Sequence, residues 1–141
     1  MLIDFSFKNI RSFKNEATLS METGELIEEY AKENTVDIGD ITLVKSAFIF
    51  GGNASGKTNV IKAFQLLRSL VLLGTSSDFE MLPTDTYANE GGNVFFKVRF
   101  YKNQKIYIYT IEYNFASIIN ECLSVNGDVI FKRDIDNIIM P

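Results

Sequence analysis

The sequence contains no histidine and a single cysteine, Cys122. The first absence excludes histidine-based triads, most catalytic zinc sites and a histidine switch. The second excludes an internal disulfide, fits a reducing cytosol and leaves Cys122 to be read as a small strand residue. No apolar run approaches the roughly 18 residues of a membrane span. The opening "MLIDFSFKN" alternates and lacks a signal-peptide core. A cytoplasmic protein with no membrane contact is therefore expected. Charge of either sign is also weak overall: the formal net charge is −4, which gives no global field to attract nucleic acid. There is no internal repeat and no low-complexity tract.

What is present suits one domain with a core of its own: 141 residues, 46% of them hydrophobic. The acids cluster. Seven lie between Glu22 and Asp40 against one base, Lys32, and read as a solvated excursion. Leu2 to Lys8 alternates as a half-buried strand, with Ile3, Phe5 and Phe7 on one face. "NIRSF" (9–13) breaks that pattern, and Ala17 to Met21 predicts a second short strand paired with the first. A helical turn is expected around Leu26 to Lys32. Ile41 to Phe50 reads as the next strand, and its continuously apolar end, Ala47 to Phe50, as a strand buried on both faces.

Thr58 to Leu73 has helical spacing. Val60, Phe64, Leu67 and Val71 form one stripe, widened by Ile61, Ala63, Leu66 and Leu70, so the helix is expected to be mostly buried. Gly74 is a natural terminator, and Thr75 to Gly92 reads as a long loop. "NVFFKVRFYK" and "KIYIYTIEY" alternate on either side of a short turn. Ile118 to Val125 predicts a further strand, and Asn126-Gly127 a hairpin into "VIFKR". The expected fold class is α/β: a unit around one buried helix, followed by an antiparallel meander.

Between the apolar run and that helix lies "FIFGGNASGKTN" (48–59). Gly51-x-x-x-x-Gly56-Lys57-Thr58 satisfies the P-loop pattern in full. Gly51 and Gly56 let the backbone turn tightly and bring its amides toward phosphate oxygens. Those amides form an anion-binding concavity, and the helix start adds the positive end of its dipole. Lys57 is placed to reach the β- and γ-phosphates of ATP, and the Thr58 hydroxyl to bind Mg2+.

The loop resembles that of the ABC-type ATPase heads of the SMC, RecF and OLD-nuclease group, through Asn53 and Asn59 in "GGNASGKTN". "FSFKNIRSFKNEATLSM" is similar to the opening of those proteins. The closest likeness is to bacterial AAA/ABC-type ATPases of abortive infection and phage defence. Theirs is a stretch like "LVKSAFIFGGNASGKTNVIKA", and a β-lobe like the meander with "IINECL" and "VIFKR". The resemblance implies a P-loop NTPase N-terminal lobe. It implies that Gly51, Gly52, Asn53, Ala54, Ser55, Gly56, Lys57, Thr58 and Asn59 wrap the phosphates. Arg11 and Ser12 would lie near the nucleotide, because the corresponding loop flanks the adenine. Arg11 read on its own is equally a solvated loop residue, and Ser55 either donates to a phosphate or caps the loop.

The resemblance further implies a head that works as a homodimer around ATP and passes hydrolysis to a DNA or nuclease partner. The parts needed for hydrolysis are not found in the sequence. No four apolar residues lead into a magnesium-binding Asp. "LSVNG" (123–127) falls in a strand and turn, where a signature needs a helix start. Gln104 falls in a hairpin turn. Residues 1–141 are thus expected to be one incomplete ATPase head (1–74 with the P-loop and helix, 93–134 the β-lobe) of a longer chain, itself without turnover.

Two alternatives stand beside this. Another P-loop enzyme is one. A GTPase needs an Asn-Lys-x-Asp guanine reader, which is absent, and a kinase needs lid arginines, yet no Arg or Lys lies between Leu73 and Lys97. The other is a nucleic-acid- or protein-binding sheet with a vestigial P-loop, since Phe95, Tyr101 and their neighbours interleave with Lys97 and Arg99.

Overall fold

The half-buried strand expected at the N-terminus becomes β1, Leu2–Lys8, in a computed structural model that describes residues 1–24, 31–75, 77 and 80–140. It is corrected in that Ile3 to Phe7 are all buried, and a register shift between Leu2 and Asp4 puts Ile3 in a different core from Phe5 and Phe7. Antiparallel to β1 runs β2, Ala17–Ser20. On its other side β1 pairs with β5, Val94–Lys102, which opens the expected meander: β6 (Lys105–Tyr113), β7 (Ile118–Val125), β8 (Asp128–Asp134) and the two-residue β9 (Ile138–Ile139). The sheet has seven strands in the order β2-β1-β5-β6-β7-β8-β9, every pairing antiparallel. Two tight turns fix its register. Asn103-Gln104 and Asn126-Gly127 both take positive φ at each central residue, the geometry that matches strand twist in two-residue hairpins.

Helix α2, Lys57–Leu73, lies on one face of this sheet. Phe5 stacks on Phe64 with ring centroids 3.8 Å apart, and Phe96 and Phe7 flank Phe5. Ala63, Leu67 and Leu70 are buried against the same layer, with Ile10, Val94, Ile111 and Tyr113. The expectation of a mostly buried helix is corrected. Ile61 and Val71 are exposed, because the sheet, with Ile10, Phe13 and Leu82 beside it, covers one stripe of α2.

The acidic segment also departs from the expectation of a plain excursion. Glu25, Glu28 and Glu29, and most of the helical turn expected around 26–32, lie outside the described residues. A four-residue helix α1 (Ala31–Asn34) leads instead into a hairpin, β3 (Thr35–Ile38) and β4 (Ile41–Val44). Ile38 and Leu43 bury themselves with Ile3 in a second, smaller core. The strand predicted over 41–50 stops at Val44. Ala47–Phe50 pairs with no described strand, and Phe48 and Phe50 are 80% and 88% exposed. An apolar run becomes a doubly buried strand only where strands flank it on both sides.

On the sheet face away from α2, Arg99 donates to the carboxylates of Asp4 and Glu22. A guanidinium held by two acids is a poor reader of nucleic-acid phosphate, so the sheet-module alternative draws no support from it. No described helix is long and apolar enough to cross a membrane.

Burial holds the Tyr113 hydroxyl protonated, raising its pKa above the ordinary value of 10. Burial, and then Glu121, do the same to Tyr109. The unfolded chain ionises both near pH 10 and the folded chain does not, so their contribution is complete below pH 10 and is lost as pH rises beyond it. Denaturant titrations from pH 8 to 11 should show stability falling above pH 10. Tyr113→Phe should flatten that fall. At pH 8 it should cost about 1 kcal/mol, because the Tyr113 hydroxyl donates to the Pro83 carbonyl at 2.8 Å. Phe5→Ala, which empties the centre of the core, should cost about 3–5 kcal/mol in the same assay.

Candidate functional site

The P-loop runs from Gly51 to Asn59 beside the turn that follows β1, and α2 begins at Lys57. Gly56 precedes the helix with φ of 92° and ψ of 2°, and no side chain caps the helix start. No capping side chain therefore competes with an anion at the helix start, where Asn59 N donates to the Gly56 carbonyl at 2.9 Å. Two glycines leave little room for a side chain. A Cβ on Gly51 would sit 2.6 Å from Ser55 Oγ. A Cβ on Gly56 would sit 3.1 Å from Ser12 Oγ and 3.4 Å from the Phe13 ring, on a backbone already in the left-handed region. Ala54 is also left-handed, at φ 63°, which gives the loop its tight reversal.

Lys57 folds back over this loop. Its Nζ donates to the carbonyls of Gly51 at 2.7 Å and Gly52 at 2.6 Å, with Ser55 Oγ at 3.4 Å. The ammonium therefore sits inside the curl of the loop, on neutral oxygens. Ser55 thus meets Lys57 and crowds Gly51, which favours a loop-shaping role for it. Asn53 and Thr58 are exposed. No carboxylate lies between residues 46 and 60, so the local charge is positive.

Arg11 and Ser12 are brought to the same place. Asn59 Nδ2 donates to Ser12 Oγ at 2.8 Å, and Arg11 Nη1 donates to Asn59 Oδ1 at 3.5 Å. The turn that carries them leaves β1 through Asn9 (φ 57°) and Arg11 (φ 49°). It is closed by reciprocal backbone bonds between Ile10 and Phe13, at 3.0 and 2.7 Å. Phe13 packs edge-on against Phe7, which ties the turn to the core. Of the candidates, then, Arg11, Ser12, Gly56 and Asn59 meet directly, and Gly51, Gly52, Ser55 and Lys57 form a second contiguous group one residue away along the chain.

Sequence reasoning missed one charged residue here. Asp85 accepts from Arg11 Nε, and its backbone carbonyl accepts from Arg11 N at 2.8 Å. No local sequence signal points to it, because its partner Arg11 lies 74 positions away in the chain. Gln104, in the β5–β6 turn, is far along the sheet from this cluster, and Leu123–Val125 belong to β7, as expected for residues outside the site. A large apolar groove of about 820 Å³ lies elsewhere, between the C-terminal half of α2 and strands β5–β8.

A family model described as "AAA domain, putative AbiEii toxin, Type IV TA system" matches residues 46–139. The chain belongs to that family. It is an AAA/ABC-type, ATPase-like domain of the abortive-infection kind, and nucleotide binding through a P-loop is the property that membership brings with it. The matched stretch contains the whole loop, α2 and the meander through β9. No curated protein matches the chain closely. The described residues of this domain build the antiparallel sheet and the helix α2 that follows the loop.

Gly56→Ala should destabilise the domain by roughly 1–3 kcal/mol, from left-handed strain plus displacement of Ser12. Chemical denaturation checks this. Gly52→Ala, where an added Cβ meets nothing within 4 Å, should be near neutral in the same assay.

Proposed function

We propose that residues 51–59 bind ATP, as the P-loop lobe of an ABC-type ATPase head in an abortive-infection or phage-defence system. The observation that carries this reading is the Lys57 ammonium on the Gly51 and Gly52 carbonyls, beside an uncapped helix start. Phosphate oxygens would replace those carbonyls as acceptors, exchanging neutral partners for charged ones and gaining the shorter, stronger bonds that charge gives. Backbone amides of Asn53 to Asn59 would surround the β-phosphate. Thr58 is the residue that would hold Mg2+ between the phosphates, where the ion would neutralise their charge. The donors present fit such a group: an ammonium, helix-start amides, a hydroxyl, and no carboxylate in the loop to oppose an anion.

Hydrolysis needs a carboxylate on the metal and a group to orient water. Among the described residues no three of His, Cys, Asp and Glu cluster as a metal site, and after the loop no run of four apolar residues leads directly into an Asp, Lys132 and Arg133 standing before Asp134. The reading therefore assigns residues 1–141 as one lobe, with 1–74 and 93–134 its two parts. Turnover would depend on further residues and on pairing of two heads. The exposed run Ala47–Phe50 supports the same assignment, since apolar rings in solvent mark a contact surface. A DNA or nuclease partner and a cytoplasmic setting complete the reading.

Calorimetric titration with Mg-ATP, paired with a phosphate-release assay, tests it. Binding without turnover is expected. Lys57→Gln should weaken binding roughly 10- to 100-fold, the worth of a charge-assisted hydrogen bond. Thr58→Ala should weaken binding of Mg-ATP more than of metal-free ATP. Equal binding by the Lys57→Gln variant would overturn the assignment of the loop, and robust turnover by these 141 residues alone would overturn the assignment of an incomplete head.

A further inference from the structure

Arg11 is held from two directions by residues far from it in sequence. Asp85, 74 positions away, takes its Nε through the carboxylate and its backbone N–H through the main-chain carbonyl. Around that pair, the segment after α2 is strapped to the turn at several points. Asn9 Nδ2 donates to the carbonyls of Gly91 at 2.9 Å and Asn93 at 3.1 Å, and Asn9 Oδ1 accepts from Tyr87 N at 3.2 Å. Lys14 lies 3.7 Å from Glu90 and over the Tyr87 ring. A residue with a side chain pays strain to sit at φ 49°, so Arg11 stays there because these partners over-determine it.

We propose that Asp85 is a positioning residue of the nucleotide site, acting through Arg11. It orients the guanidinium so that Nη1 reaches Asn59 on the P-loop helix and the remaining Nη donors stay open to an anion. Arg11 keeps 38% of its side chain exposed while making these bonds, so an incoming phosphate or base can still reach it. This inference rests on the reading that residues 51–59 bind ATP. It adds that affinity for nucleotide is set partly by a residue on a different loop, outside the P-loop motif.

Two physical expectations diverge at Asp85. If it acted only through its charge, removing that charge beside an anionic ligand would tighten binding. If it positions Arg11, removing it frees a long, flexible cation and weakens binding, because the side chain must then be ordered on binding. Affinities for Mg-ATP are therefore measured by calorimetry for the full 141-residue chain and for Asp85→Asn, Asp85→Glu, Arg11→Gln and the Asp85→Asn/Arg11→Gln double variant. Asp85→Asn should weaken binding about three- to tenfold, and the double variant should bind no worse than Arg11→Gln alone, the non-additivity of side chains that act as one unit. Asp85→Glu should recover part of the loss. Glu90→Gln, which loosens the strap without touching Arg11, should leave affinity unchanged and controls for general loosening.

Unchanged or tighter binding by Asp85→Asn, or a loss that adds in full to that of Arg11→Gln, overturns the proposal. If Asp85→Asn fails to fold, Asp85→Glu and the Arg11→Gln comparison decide in its place: no difference of either from the unaltered chain overturns it. Lys57→Gln in the same series separates the two readings. A loss there with no effect at Asp85 defeats only this inference, whereas no loss there defeats the P-loop assignment itself.

Discussion

The contact on which everything else rests is the seat of α2 on the aromatic face of the sheet, centred on the Phe5–Phe64 stack. Phe5 and Phe7 sit on β1, and β1 runs straight into the 9–13 turn. Ala63, Phe64 and Leu67 sit on α2, and α2 starts at Lys57. Packing one pair of elements therefore brings two chain segments, Arg11-Ser12 and Gly56–Asn59, to one spot. Neither segment has to bury apolar surface for itself. The core holds the elements at a close-packed spacing, and the polar groups of the site need only short bonds such as Asn59 to Ser12 to lock the detail.

That division of labour explains how the loop can be both open and ordered. Its glycines face steric limits set by Ser55, Ser12 and Phe13, so its path is defined by its neighbours rather than by a closed cavity. Lys57 satisfies itself on loop carbonyls until a better acceptor is offered. Such a site costs little to reorganise: one flexible ammonium exchanges partners while the backbone curl stays as it is. Pre-organisation of this kind leaves more of the interaction with a ligand as net affinity.

Much of this was legible in the sequence. β1, β2 and the meander follow from period-two alternation, and Asn126-Gly127 from turn chemistry. The G-x-x-x-x-G-K-T spacing located the loop, and the break at "NIRSF" located the turn that meets it. The misses share a cause: each depends on a partner that local pattern does not reveal. Ala47–Phe50 carries the composition of a central strand, yet pairs with no described strand. Ile61 and Val71 widen the apolar stripe of α2, yet the sheet reaches only the side of Ala63, Leu67 and Leu70. In the acidic stretch, the charge count hides Ile38, although Ile3 and Leu43 offer it a core. Asp85 was invisible because its partner lies 74 residues away.

The same misses bear on function. α2 is apolar on two sides, and the sheet uses one. The unused side and the Ala47–Phe50 run are both exposed, and both adjoin the loop at its two ends: one enters Gly51, the other leaves from Lys57. A chain that needed only the antiparallel sheet would gain from polar residues at Ile61, Val71, Phe48 and Phe50, since each is more than half exposed. Their apolar character is explained if a second layer covers α2 and takes Ala47–Phe50 as one of its strands, as the ATPase-head reading requires. In that arrangement the P-loop lies at the seam between two layers, where strand ends and a helix start converge. The antiparallel lobe would then supply what it already shows here: a rigid base for α2 and a fixed Arg11 beside it.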